Sequence, residues 1–171
     1  MYRASRRTVT LSLLALLGAC GSTSTKFKTY SGPPVTQVVV NKGQRRMYLL
    51  NNQTVLKSYD IGLGNEPIGT KRFEGDGKTP EGMYFIDRFN PRSQYHLSVG
   101  VSYPNVNDEA YANFMGRKPG GDIFIHGRGP EGNAKAPKNR DWTAGCIAVK
   151  DEEIEDIYAM LRPGTPIMIY P

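Results

Sequence analysis

Nineteen glycines and twelve prolines punctuate the 171 residues, and this punctuation is the strongest constraint on the fold. Proline fixes φ and removes a backbone donor, glycine favours turns, and both weaken the interior of a helix. A chain interrupted this often folds into short strands joined by turns rather than into a helix bundle. Its length suits a single domain with one core.

The apolar runs agree with that reading. Gln37–Val40 and Met47–Leu50 flank the turn Asn41-Lys42-Gly43-Gln44, and Val55–Ile61 follows after Asn51-Asn52-Gln53, which together describe an opening meander. Further strands are predicted at Gly82–Arg88, His96–Tyr103, Asp122–His126 and Pro166–Tyr170. One helix is well marked. Asp151 can cap it, Glu152 and Glu153 suit its positive end, and Ile154, Ile157, Tyr158 and Leu161 repeat at i, i+3, i+4 and i+7 before Pro163-Gly164 stops it. A second, short helix is expected from Val106 to Met115. Gly127-Arg-Gly-Pro-Glu-Gly132 spells a dinucleotide-binding pattern, but Pro130 and Pro137 are expected to leave a loop with no helix to receive a pyrophosphate.

The N-terminus reads as an export signal. Arg3, Arg6 and Arg7 precede the apolar run Val9–Leu17, which is well short of the roughly 20 residues that span a bilayer, and Gly18-Ala19-Cys20 follows. Leu17-Gly18-Ala19-Cys20 resembles a bacterial lipobox, which implies lipidation at Cys20. Gly21, where an Asp would retain the protein, favours the outer membrane, and the general secretory route fits better than the twin-arginine route. The expected organisation is a lipoprotein-type signal at 1–19, Cys20 and a flexible tether at 20–34, and a globular domain at 35–171. The expected location is the periplasm-facing side of the outer membrane, with the membrane as a partner through Cys20. The chain's 22 basic against 16 acidic residues suggest nucleic acid at first sight. Three of those arginines leave with the signal, so no nucleic-acid partner is expected.

Removal of the signal at Cys20 leaves one free thiol in the domain, Cys146, in Asp141-Trp142-Thr143-Ala144-Gly145-Cys146. A free cysteine is ordinarily a small buried hydrophobe. Three features weigh against that here. Gly145 lets a substrate or backbone come close, and amides around Gly145 and Cys146 could face a developing oxyanion. His126 ends a predicted strand and can project from a rigid element. An exported protein that keeps an unpaired cysteine risks its oxidation. The chemistry these residue types suit is a Cys-His pair, in which imidazole takes the thiol proton and later protonates a leaving amine. Two histidines and two cysteines are too few for a metal site without carboxylates, and no metal or cofactor is expected.

Ile125-His126-Gly127, a long loop, and then Thr143-Ala144-Gly145-Cys146 resemble the signature of the L,D-transpeptidase catalytic domain of the YkuD type. Gly77-Lys-Thr-Pro-Glu-Gly-Met-Tyr84, His96–Asn105 and Gly121–Gly127 are similar to further segments of that family. The resemblance covers roughly Val35 to Pro171. It implies a mainly β, sandwich-like domain with one or two short helices, with Cys146 as nucleophile, His126 as base and Thr143 and Gly145 shaping the oxyanion turn. It also implies peptidoglycan peptide stems as substrate, a thioester acyl-enzyme formed with loss of a terminal D-Ala, and transfer to an amine. Gly127, Arg128 and Arg140 are the substrate-binding candidates, with Arg128 or Arg140 as a carboxylate contact. The chain departs from the family at two points, with Ala144 where many members have His and Ala148 where they have Arg. Loss of that Arg removes a bidentate carboxylate partner. Hydrolysis of stem-peptide or lipoprotein cross-links therefore stays open beside transfer, as does a domain that binds peptidoglycan without catalysis.

Overall fold

The computed structural model describes residues 25–136 and 138–171; the expected signal and the expected lipidation site Cys20 lie outside them. Eight strands form one sheet in the order β3-β2-β1-β8-β4-β5-β6-β7. The strands are β1 (Gln37–Asn41), β2 (Arg46–Asn51), β3 (Thr54–Asp60), β4 (Gly82–Asn90), β5 (Ser98–Val101), β6 (Phe124–His126), β7 (Ile147–Ala148) and β8 (Pro166–Tyr170). The predicted meander is β1-β2-β3, antiparallel throughout. C-terminal β8 enters between β1, which it meets in parallel, and β4. The sheet is thus mainly antiparallel with two parallel pairs, β1·β8 and β6·β7.

The sheet does not stay open. Beyond β3 the chain continues along the opposite edge, where Gly62 and Ala148 exchange two backbone hydrogen bonds of 2.8 and 2.9 Å and Gly64 bridges Thr143. The curled sheet encloses an apolar core that includes Val38, Leu49, Ile61, Leu63, Ile125 and Ile167. The alternation of buried and half-buried residues in β1 and β2 is what one buried face demands.

There are three helices among the described residues. α1 (Val106–Phe114) begins at Asn105, whose side chain accepts from Asn107 and Asp108 N–H groups while Asp108 accepts from Asn105 N–H. α3 (Asp151–Met160) turns Ile154 and Ile157 fully into the core, each contributing about 1.5–3 kcal/mol. Asp151 does not cap it: Glu153 accepts from the Lys150 N–H at 2.8 Å, and the Asp151 carboxylate is used elsewhere. α2 (Gly129–Lys135) lies where a loop was expected. Pro130 sits in its first turn, where a missing N–H costs no helical bond, so proline starts this helix instead of preventing it.

Residues 25–34, expected as free tether, lie against the domain. Lys28 meets Asp156 and Glu155 at 2.7 and 3.3 Å, the Phe27 and Tyr158 rings stand 6.2 Å apart, and Lys26 reaches the carbonyls of Pro91 and His96. The alternating charged and aromatic residues of Lys26-Phe-Lys28 match the acidic, Tyr158-bearing face of α3, a complementarity that composition alone hides. No described helix is long and apolar enough to cross a membrane.

Closure at Gly62 leaves no room for a side chain, because a Cβ there would run into the Arg140 carbonyl. Gly62→Ala is expected to lower stability by about 1–3 kcal/mol. Gly43→Ala, whose Cβ would meet nothing nearer than 3.5 Å, is expected to stay close to wild type; urea unfolding midpoints compare the two.

Candidate active site

The parallel pairing of β6 with β7 sets Ile125 opposite Ile147 and His126 opposite Ala148. Side chains of a strand alternate between faces. Both isoleucines point into the core, so the residues on either side of them, Phe124 and His126 on one strand and Cys146 and Ala148 on the other, share the outer face. The Phe124 N–H lies 3.4 Å from Cys146 Sγ, continuing that register by one residue. His126 and Cys146 consequently line one cavity of about 450 Å³, together with Arg92, Gln94, Tyr95 and Asp122.

The turn that presents Cys146 is tied at every point. Thr143 Oγ1 donates to the Cys146 carbonyl at 2.7 Å and accepts from the Gly145 N–H at 3.1 Å. Thr143 N–H donates to Leu63 O and Asn65 N–H to Thr143 O, stitching the turn to the segment that closes the sheet. Asp141 accepts from the Leu63 N–H and from Arg45 Nε and Nη2. Gly145 has φ of +138°, and a Cβ there would lie 2.6 Å from the Lys78 carbonyl. Only glycine fits. The Gly145 N–H, expected as an oxyanion donor, is spent on Thr143; the Cys146 N–H has no partner among the described residues.

His126 is buried, and its ring is fixed on both sides. Nδ1 lies 2.5 Å from the Gly127 carbonyl. A carbonyl oxygen can only accept, so this contact assigns the proton to Nδ1 and leaves the lone pair on Nε2. Tyr95 stacks on the ring at 4.5 Å between centroids and Trp142 meets it edge-on at 5.7 Å. Burial holds the imidazole below its ordinary value of 6.5, against the bond to Gly127 and the charges of Asp151 and Glu131. Burial also raises the Cys146 thiol above its ordinary 9.0, opposed by the Phe124 N–H. Both partners therefore rest neutral, and the thiol donates to Asp122 O at 3.4 Å. No hydrogen bond joins thiol to imidazole in this resting arrangement among the described residues, and catalytic bonds commonly tighten only when substrate is bound.

The substrate-binding candidates separate. Gly127 supports the loop, since a Cβ there would meet Asp151 Oδ1 at 2.6 Å and the Tyr95 carbonyl at 2.7 Å. That approach is possible because Asp151, freed from capping, accepts from the Arg128 and Gly129 N–H groups at 2.7 and 2.9 Å. Arg128 and Arg140 face a different cavity of about 330 Å³, lined also by Asp60 and Lys150. Arg140 is occupied there by the carbonyls of Ile61 and Arg45 and the Asp60 carboxylate. Arg92, missed in the sequence, lines the Cys146 cavity, and its side chain has no partner among the described residues. Tyr95 was also missed. Nothing in a loop of polar residues between two strands marks which of them will turn toward a histidine thirty positions on. No described group of three or more His, Cys, Asp or Glu could hold a metal ion.

Comparison with known proteins agrees with this architecture. Residues 36–169 match the family model of the L,D-transpeptidase catalytic domain, YkuD. The chain belongs to that family. YafK of Escherichia coli (strain K12), an L,D-transpeptidase by name, is 27% identical over 179 residues, covering 94% of this chain and 65% of its own length. YcfS of the same strain, similarly named, is 27% identical over 80% of this chain and 44% of its own. Among solved structures, the helical cell shape determining protein Pgp2 of Campylobacter jejuni superposes with a TM-score of 0.60 at 28% identity, over 82% of this chain and 49% of that one. An L,D-transpeptidase from Mycobacterium smegmatis shares the fold at 14% identity, with a TM-score of 0.53 over 79% of this chain and 58% of its own. The chain thus spans less than two thirds of the length of each of these relatives.

Thr143→Val keeps the shape of the side chain but leaves the Gly145 N–H and the Cys146 carbonyl without their partner. It is expected to cost about 1–3 kcal/mol and to slow alkylation of Cys146 by iodoacetamide, whereas Thr143→Ser keeps both properties; chemical denaturation and labelling rates measure them.

Proposed function

We propose that this chain is a cysteine-dependent L,D-acyltransferase acting on peptidoglycan tetrapeptide stems. The observation that carries the reading is the β6–β7 register, which sets Cys146 and His126 on one face of one cavity with Nε2 of His126 free to accept a proton. Family membership and the likeness to named L,D-transpeptidases support it.

Cys146 Sγ attacks the carbonyl of the third stem residue as its proton passes to His126 Nε2. The Nδ1–H bond to the Gly127 carbonyl stabilises the imidazolium that results. The tetrahedral oxyanion takes the Cys146 N–H. Collapse expels the terminal D-Ala amine, which receives the proton from Nε2 and leaves a thioester on Cys146. An amine acceptor then attacks the thioester, giving up a proton to His126, and the thiol is restored. Water in the acceptor's place makes the same site a hydrolase. Arg92 meets a carboxylate of the stem, a role that Arg128 and Arg140, which line another cavity, do not fill. A role in determining cell shape, as named for Pgp2, and anchoring through a lipid on Cys20 at the periplasmic face of the outer membrane belong to the same reading.

Mass spectrometry of the protein after incubation with purified tetrapeptide muropeptides tests it. Wild type is expected to gain the mass of the stem less D-Ala, and Cys146→Ala to gain nothing while keeping its fold; adduct formation in that variant overturns the proposal. Adding an amine acceptor and analysing the products separates transfer from hydrolysis, and failure of the wild type to acylate at all leaves a binding module. Arg92→Ala is expected to raise KM by about 10- to 100-fold, the loss of one charge-assisted contact, with little change in kcat.

The acylation rate should also follow the neutral imidazole. Because burial lowers the value for His126, that form is still dominant at pH 6.5, and the rate is expected to fall only as the pH drops through the lowered value. A stopped-flow pH profile whose acid limb lies at or above 6.5 contradicts this.

A further inference from the structure

The loop between β4 and β5, residues 91–97, supplies Arg92, Ser93, Gln94 and Tyr95 to the Cys146 cavity, and its ends are held from outside the sheet. Lys26 Nζ donates to the Pro91 carbonyl at 2.7 Å and to the His96 carbonyl at 3.0 Å, one bond at each end of the loop. His96 has φ of +75°, a conformation that costs a residue with a Cβ and persists where its surroundings hold it. Here they hold it twice: Lys26 takes its carbonyl and Glu155 takes its ring at 2.7 Å. The segment carrying Lys26 is itself fixed to α3 through Lys28 and Phe27. At the other side of the loop, Tyr95 stacks on His126 and donates its hydroxyl to Glu131 at 3.2 Å.

We propose that Lys26 is a positioning residue for the reaction: by gathering the two ends of loop 91–97 it keeps Tyr95 packed on His126, so the segment preceding the β domain sets the surroundings of the catalytic base. The inference rests on the reading of Cys146 and His126 as the active pair. His126 is faced by Tyr95 and Trp142 from loops, by Glu131 from α2, by Asp151 from α3 and by Cys146 ahead of β7. Lys26 touches none of these. Its action runs through the loop alone.

Three variants of the full chain test this, read by amide hydrogen exchange and by NMR titration of the His126 ring. Lys26→Met keeps the alkyl stem and removes the donors. It is expected to accelerate exchange at residues 92–96 by about tenfold or more, as loss of a charge-assisted bond allows, with exchange in β1 and β2 unchanged. With Tyr95 loosened, water reaches the ring and the His126 titration moves up toward 6.5. Lys26→Arg restores both readouts. Lys57→Met removes a like charge from the same acidic face of α3, where Lys57 meets Asp156 at 3.5 Å, without touching the segment or the loop, and is expected to leave exchange at 92–96 within about twofold of wild type. Unchanged exchange and titration in Lys26→Met overturn the proposal. So does uniform acceleration across the sheet, which would make Lys26 a general support of the fold, and so does a shift of the titration in Lys57→Met equal to that in Lys26→Met, which would make the effect one of charge. None of these readouts involves turnover, so they stand or fall separately from the acyl-transfer reading, which the muropeptide adduct decides.

Discussion

The two-residue parallel pairing of β6 with β7 is the constraint on which the rest of the site depends. A slip of one residue would send Cys146 or His126 into the core, and two residues of ladder cannot hold a register unaided. The register is secured from the other side. Gly62 takes both backbone hydrogen bonds of Ala148 while its neighbour Val149 bonds His126, Gly64 bridges Thr143, and Asp141 takes Leu63 N–H while paired with Arg45. The segment after β3 therefore closes the sheet and fixes the Cys146 turn in one stroke, and the absence of side chains at Gly62, Gly64 and Gly145 is what allows these backbones to meet.

The same packing decides the electrical state of the pair. The imidazole is buried between two aromatic rings and the thiol is half-buried in the cavity wall, and lost solvation disfavours charge on both, so imidazole and thiol rest uncharged instead of as an ion pair. In the proposed reaction the cost falls on the moment of attack, when a proton must move from sulfur to nitrogen. Two features lower it: the Gly127 carbonyl fixes the ring tautomer in advance, and the charges of Asp151 and Glu131 favour the imidazolium once formed. Asp151 contributes twice, since its carboxylate also holds the Arg128 and Gly129 amides that shape the loop behind that carbonyl.

Much of this was legible in the residues. The meander, the long strands β4 and β8 and the amphipathic helix α3 follow from periodicity and turn chemistry, and the motif around His126 and Cys146 marks the family. Other elements were hidden for identifiable reasons. Two residues of β7 carry no period. Pro130 reads as a breaker unless its place in the first turn is known, so α2 was missed. Asp151 matched a cap by position, but its carboxylate found stronger company in two amides across a loop. Arg140 carried the right charge for a carboxylate ligand, yet the backbone carbonyls of Ile61 and Arg45 lay within its reach. Lys26 and Lys28 looked like solvated tether until α3 supplied acidic partners for one and the 91–97 loop supplied carbonyls for the other.

The sequence by itself therefore determined which chemistry is available: one thiol and one imidazole in a glycine-framed motif, and a β-rich chain to carry them. Those are properties of residue types and short spacings, which a linear chain displays. Which groups work together was decided only by the tertiary structure. Tyr95, Trp142 and Asp151 reach His126 or its loop from 31, 16 and 25 positions away, and hydrogen bonds and ring contacts act over a few ångströms of space without regard to that separation.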